Sequence, residues 1–440
     1  MQAIQAGLLI VDVNDVREQS GLLIEEGEIK AILPNEEIDA KIKSGEVTQL
    51  QDARDALVMP GFVNAHMHQY GMLSHGLAAD VENFESFLDD YWWPYIENRI
   101  GRKEVEATTK ASAAEMIHAG ITTYCDTMEA PFSGEDILLY QAKIVEQIGL
   151  RAILSLESCE RVDEENGLHC LNENRKMVEY HKQNGGRVGG MMCTHTSFTC
   201  SAPFMQKAKQ MADELGAMWQ FHLSESIFEP TYAREHFGKL PVVYYDELGL
   251  LGNRVLASQC VQMQEEEIEI LAKRGVQAVH MPMSNCEVGG GFAPVEKMLA
   301  AGVNVALGTD GYINDFFEVM RGAFLMHKAN QQDPSAMPAK TVFQMATENG
   351  GKALGMPQAG TLRVGSFADF TVMSRKFPTP LTSKNLFDQI VVFGQKQNVT
   401  DVYVAGTPVL KNKQLATMDE AQVFEDLRAV ATSFWEVKRG

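Results

Sequence analysis

Phe62-Val63-Asn64-Ala65-His66-Met67-His68 decides how the chain is read. It follows Met59-Pro60-Gly61, a turn signal that closes a short apolar run, so it reads as a strand leaving a bend and ending in two histidines. Alternate residues of an extended segment point to the same side. His66 and His68 therefore offer two imidazoles to one ion, which suits Zn²⁺ or Fe²⁺. A His-x-His pair alone reads equally well as two polar residues at a strand end, so the rest of the chain has to supply further ligands.

Outward from this stretch the pattern is strand, loop, helix, repeated. Short β-rich runs end near His66, Asp126, Glu157, His195, His222, Gln259, His280 and Asp310. Helical patterns intervene, for example over 103–119, 172–183, 203–215, 265–274 and 315–328. Eight β/α units predict an α/β chain folded as a (β/α)8 TIM barrel, with catalytic groups at the C-terminal ends of its strands. Residues 1–58 instead alternate apolar and polar positions between Gly and Asn turns, which predicts short antiparallel strands. The same texture returns at 360–373 and 402–410. We therefore expect a barrel over 59–358 and a composite β-sandwich domain built from 1–58 and 359–440, closed by an amphipathic helix over 419–439.

At the fifth strand end, Trp219-Gln-Phe-His-Leu-Ser-Glu-Ser supplies His222 and, three residues on, Glu225. At the eighth, Val305-Ala-Leu-Gly-Thr-Asp-Gly supplies Asp310. Singly, His222 is more often a polar core residue and Asp310-Gly311 a turn. Together with His66 and His68 they form three imidazoles and a carboxylate, an open catalytic metal site with room for water. Glu225 is placed to carry protons. Glu157 ends strand 3, where it accepts a hydrogen bond from a substrate amino group or makes a structural salt bridge; both readings stay open. Gln69, directly after His68, is expected beside the substrate.

Composition narrows the class. With 45% hydrophobic and 22% charged residues the chain is a folded globular protein. A net charge of −21 repels phosphate backbones and anionic membrane surfaces, so nucleic acid and membrane are not expected partners. No apolar run is long enough for a membrane span, and the first residues lack a basic n-region, which points to the cytoplasm. The seven cysteines form no C-x-x-C pair, and buried free thiols are expected.

The motifs Pro60-Gly-Phe-Val-Asn-Ala-His-Met-His, His222-Leu-Ser-Glu, His280-Met-Pro-Met-Ser-Asn and Ala306-Leu-Gly-Thr-Asp-Gly resemble the successive signatures of the amidohydrolase superfamily, in its aminohydrolase branch of cytosine, guanine, adenosylhomocysteine and triazine deaminases or dechlorinases. Ser155-Leu-Glu-Ser-Cys-Glu-Arg and Thr309-Asp-Gly-Tyr-Ile-Asn-Asp-Phe-Phe-Glu-Val-Met are most similar to the SsnA group of aminohydrolases. The resemblance implies one divalent metal per chain, zinc first and iron second, on His66, His68, His222 and Asp310, with Glu225 as proton shuttle. It implies that His195 faces the substrate at strand 4, and that His280 is a usual site histidine without being a metal ligand. No lysine ends strand 4 to bridge a second ion. The main departure is Gln259, in Leu256-Ala-Ser-Gln-Cys-Val, where the family has a histidine. An amide donates and accepts hydrogen bonds but does not titrate near neutrality.

The expected activity is hydrolytic deamination of an amino-substituted N-heterocycle such as a purine, pterin, pyrimidine or triazine, with Glu225, Asp310 and Gln259 as catalytic groups. One rival keeps the fold and cleaves another C–N or a C–halogen bond. A second, supported only by Gln259, is a catalytically impaired metal-binding ligand carrier or partner protein. A homodimer is left open. Three features take a plainer reading: Gly289-Gly-Gly-Phe-Ala-Pro as a flexible loop, Glu265-Glu-Glu as the acidic first turn of a helix, and Met67 as core filling. Trp92-Trp93-Pro94 either walls an aromatic pocket or packs at a helix start.

Overall fold

A computed structural model describes residues 1–77 and 80–436. The chain opens with strands β1 (Gln2–Asp12), β2 (Asp15–Glu25), β3 (Glu28–Pro34) and β4 (Thr48–Pro60). The barrel strands follow as β5 (Phe62–Met67), β6 (Ile121–Met128), β7 (Arg151–Leu156), β8 (Val188–Gly190), β9 (Met192–Cys193), β10 (Trp219–Leu223), β11 (Val255–Gln259), β12 (Gln277–His280) and β13 (Asn304–Leu307). The last four are β14 (Phe370–Ser374), β15 (Val399–Val404), β16 (Thr407–Lys411) and β17 (Gln414–Leu415).

The barrel is an eight-position parallel ring. β5 to β8 form one run and β9 to β13 the other. β8 and β9 are two halves of one strand position, split at Met191. The ring closes where Met67 bridges Asp310 in parallel and the backbone N–H groups of Thr309 and Asp310 donate to the His66 carbonyl at 3.1 and 3.2 Å. Gly308 makes that closure sterically feasible: a Cβ there would lie 2.6 Å from the His66 carbonyl oxygen. The first motif of the sequence and the last are thus stitched together by the backbone.

The ends of the chain share an eight-stranded sheet of order β17-β16-β15-β14-β4-β1-β2-β3. The expectation of purely antiparallel strands is corrected here, because β1 pairs with β4 in parallel. The helix Asn35–Lys43 is the reason: it carries the chain back between β3 and β4, as a parallel crossover requires. β1 is buried along nearly its whole length, which explains the unbroken apolar run Gly7–Val11. The segment 360–369, expected as strand, is irregular apart from a single bridge of Phe367 to Glu28, and regular pairing begins with Phe370–Ser374. β4 runs straight into β5 through Gly61, so sheet and barrel share one continuous stretch of chain.

Helices lie near their expected places. The helix expected from 172 begins earlier, at Glu164, because Asp163 accepts a hydrogen bond from the Asn166 N–H as its cap. The acidic run at 265–267 opens the helix Glu265–Arg274. The closing helix is Glu420–Trp435, and 437–439 lie outside the described residues. No helix among the described residues is long and apolar enough to cross a membrane. Five of the seven thiols are buried; against expectation Cys159 is half-buried and Cys286 exposed.

Candidate metal and catalytic site

The strand ends deliver ligand-type atoms to one point. His66 Nε2 lies 3.2 Å and His222 Nε2 3.3 Å from His68 Nε2, and Asp310 Oδ1 lies 3.0 Å from the same atom. All four side chains are buried. The backbone turns sharply to aim neighbouring groups here: Ser224, Gln259, Cys260 and Asp310 have φ of +49°, +75°, +50° and +58°. Such left-handed geometry is costly outside glycine and clusters at functional sites.

The outer ring nitrogens show what the inner ones face. His68 Nδ1 is 2.7 Å from the Thr127 carbonyl oxygen, an acceptor only, so Nδ1 carries the proton. His66 Nδ1 is 3.4 Å from Gln220 Oε1, whose orientation is fixed because Gln220 Nε2 donates to Ser155 Oγ at 2.6 Å. His222 Nδ1 sits 3.2 Å from Glu157 Oε2. In the neutral rings the three Nε2 lone pairs therefore converge on one another and on a carboxylate oxygen, which is unfavourable unless a cation lies between them. The donor set fits a divalent metal. The surrounding charges favour a cation here: burial opposes charge on His68, yet Glu129 and Asp310 outweigh it and push the ring up to about 10, so this ring holds a proton at neutral pH unless another cation replaces it. Burial, followed by the neighbouring His68, brings His222 down to about 4, keeping it a neutral donor.

Asp310 is clamped from outside. Its Oδ2 accepts from Gln259 Nε2 and from Ser284 Oγ, both at 2.8 Å, leaving Oδ1 toward the histidines. Asn285 Nδ2 donates to Gln259 Oε1 and so sets which end of the Gln259 amide faces Asp310. Ser284 and Asn285 begin a short helix, Pro282–Glu287, after the seventh barrel strand.

A cavity of about 250 Å³ opens over the cluster, its lining including His68, His195, His222, Glu225, Gln259 and Asp310. Burial, reinforced by Asp310, pushes Glu225 well above the usual carboxylate range, as suits a proton donor. Gly290 packs against the Glu225 backbone: a Cβ there would lie 2.4 Å from the Glu225 carbonyl oxygen, and Gln262 Nε2 donates to the Gly290 carbonyl at 2.6 Å. The glycine run is a loop, as expected, and within it Gly290 supports the Glu225 backbone. Trp92 does wall the cavity and donates to Tyr70 OH at 3.2 Å.

Three expected substrate contacts are placed differently. Gln69 turns away: its backbone N–H binds Asp126 and its side-chain oxygen accepts from Gln141 at 3.0 Å, inside the barrel wall. His280 is not in the cavity lining and pairs instead with His327, Nε2 to Nε2 at 3.1 Å. Glu157 lies behind His222 and His195 and not at the surface of the cavity. His195 does reach it, its Nδ1 held 2.8 Å from Thr199 Oγ1. Sequence reasoning missed Glu97, Glu129, Tyr70, Ser284 and Asn285; only the Ser-Asn of His280-Met-Pro-Met-Ser-Asn carried a signal.

Comparison with known proteins accords with this geometry. The amidohydrolase family pattern matches residues 57–409. A 5-methylthioadenosine/S-adenosylhomocysteine deaminase of Thermococcus sibiricus is 39% identical over 82% of this chain and 84% of its own. A 5'-deoxyadenosine deaminase of Methanosarcina mazei is 35% identical over 96% and 94%. An adenosine deaminase from Xanthomonas campestris, crystallised with bound zinc, superposes with a TM-score of 0.89 at 27% identity and covers 99% of both chains. The chain belongs to the amidohydrolase family and is a metal-dependent hydrolase of carbon–nitrogen bonds.

Proposed function

We propose that the protein replaces the exocyclic amino group of an N-heterocycle by hydroxyl, consuming water and releasing ammonia, with purines of the adenosine type the first candidates because the relatives are named for them. The observation that supports this most is the convergence of three imidazole lone pairs and the Asp310 carboxylate beneath a cavity that Glu225 also lines. His66, His68, His222 and Asp310 would hold the metal, with zinc preferred and iron second on donor type. Such an ion supplies Lewis acidity and lowers the pKa of water at the site.

The chain's own groups do the rest. Glu225 delivers a proton to the ring nitrogen beside the amine-bearing carbon, and Asp310 accepts one from water. Gln259 and Ser284 hold Oδ2 of Asp310, so the carboxylate cannot rotate away from the histidines. His195 meets the substrate from the fourth strand. The division into a barrel over 59–358 and a flanking unit of 1–58 with 359–440 belongs to the same proposal, supported by the pairing of β4 with β14.

The test is ammonia release by zinc-loaded protein over adenosine derivatives, other purines, pterins, cytosine and aminotriazines. Turnover of at least one is expected. Release of chloride or a carboxylate without ammonia would favour the rival hydrolases. An inert wild type that gains ammonia release only as Gln259→His would move the protein to the non-enzymatic class.

A further inference from the structure

The cavity wall is rich in acceptors and poor in available donors. Among its described lining residues there is no lysine or arginine, while Glu97 and Glu129 reach it with 1% and 6% of their surface exposed. Several donors of the wall are turned inward: Trp92 Nε1 to Tyr70, Gln259 and Ser284 to Asp310, and His75 Nε2 to the Gly311 carbonyl at 3.0 Å. A carboxylate has room for about four hydrogen bonds. Glu97 takes one from Arg161 at 2.6 Å and Glu129 one from Tyr70 OH. Glu129 also accepts from Glu97, which burial and Glu129 push well above the usual carboxylate range, and from Glu157, so Glu129 is the chief acceptor of the group. Over the same cavity Phe87 stacks on Trp92 with centroids 5.3 Å apart, offering a flat apolar face.

Resting on the deaminase reading above, we infer that the substrate is a planar heterocycle whose non-reacting edge presents N–H donors, of urea, amidine or guanidine type, to Glu97 and Glu129. Its reacting edge then faces Glu225 and the histidine cluster. Free adenine offers a single ring N–H, at N9, and no pair of adjacent donors, so it would satisfy at most one of the two carboxyl groups. Sites built to hydrogen-bond a substrate group discriminate strongly against analogues that lack it.

Two measurements on zinc-loaded protein test this. Calorimetric binding of 2-aminobenzimidazole is compared with that of 2-methylbenzimidazole, of equal size, at about pH 9, where both are neutral. The amino compound is expected to bind at least about tenfold more tightly, with the preference lost in Glu129→Gln and reduced in Glu97→Gln. Equal affinities in the wild type overturn the inference whether or not the variants fold, and so does a preference undiminished in both folded variants. In parallel, ammonia release from 2,6-diaminopurine is compared with that from adenine, and a higher kcat/KM for the diamine is expected. Equal kcat/KM for the two overturns the donor-edge inference alone. No ammonia from any heterocycle overturns the deaminase reading and leaves the binding comparison to decide this one.

Discussion

The amide nitrogen of Gln259 donates to Asp310 Oδ2 at 2.8 Å, so a residue that cannot titrate occupies the flank of the cluster's only carboxylate. Asn285 fixes the amide's orientation and Ser284 supplies a second donor to the same oxygen. Asp310 is thus held from outside by a clamp made only of hydrogen bonds.

Gln259→Ala should weaken metal affinity and turnover by about tenfold, because removing a hydrogen bond behind a ligand typically costs 10–100-fold and Ser284 keeps its own bond. Chelator competition and steady-state rates check it. A loss larger than that of Glu225→Gln would contradict this role.

Glu225→Gln should retain metal and fold yet lose turnover by about 10²-fold or more, since shape is kept and proton delivery is removed. Activity within a few-fold of wild type would take Glu225 out of the mechanism.

Elemental analysis should give one divalent ion per chain, and the double variant His66→Ala with His222→Ala should give almost none. Two of the three converging imidazoles would then be gone. Two ions per wild-type chain, or metal content unchanged in the double variant, would sink the site as drawn.

His195 is brought down to about 3 by burial and then by His222. Unfolded, it titrates near 6.5, so between these values the unfolded chain binds more protons and stability must fall as pH falls. The window is about pH 6.5 to 3, and on the order of 5 kcal/mol is at stake. His195→Gln should flatten this part of the stability curve in urea unfolding; an unchanged slope would refute the assignment.

Arg151, opening the third barrel strand, pairs with Asp369 through Nε to Oδ2 at 2.7 Å and Nη2 to Oδ1 at 3.2 Å, joining barrel to flanking sheet. Asp369 also accepts the Ala405 N–H. Asp369→Ala should cost about 3–5 kcal/mol, since it strands a buried guanidinium. A loss under about 1 kcal/mol in urea unfolding would show the contact to be dispensable.

The sequence by itself determined the barrel and which residues meet in the proposed metal cluster. Strand periodicity is local, and His66, His68, His222 and Asp310 occupy strand ends whose place in space follows once eight β/α units close a ring. It also placed Gln259 at the end of the sixth barrel strand. Only the tertiary structure decided what that glutamine touches, because its partners Asn285 and Asp310 come from different strand-to-helix loops. The same holds for Glu97 and Glu129, which no motif marks and which meet only when the loops fold over the barrel mouth. Gln69 shows the converse: adjacency to His68 in sequence suggested the cavity, but the short helix Gln69–Ser74 turns its side chain to Gln141. Strand direction was likewise beyond the pattern. Alternation of apolar and polar residues is the same for parallel and antiparallel neighbours, and the crossover helix between β3 and β4 decides between them.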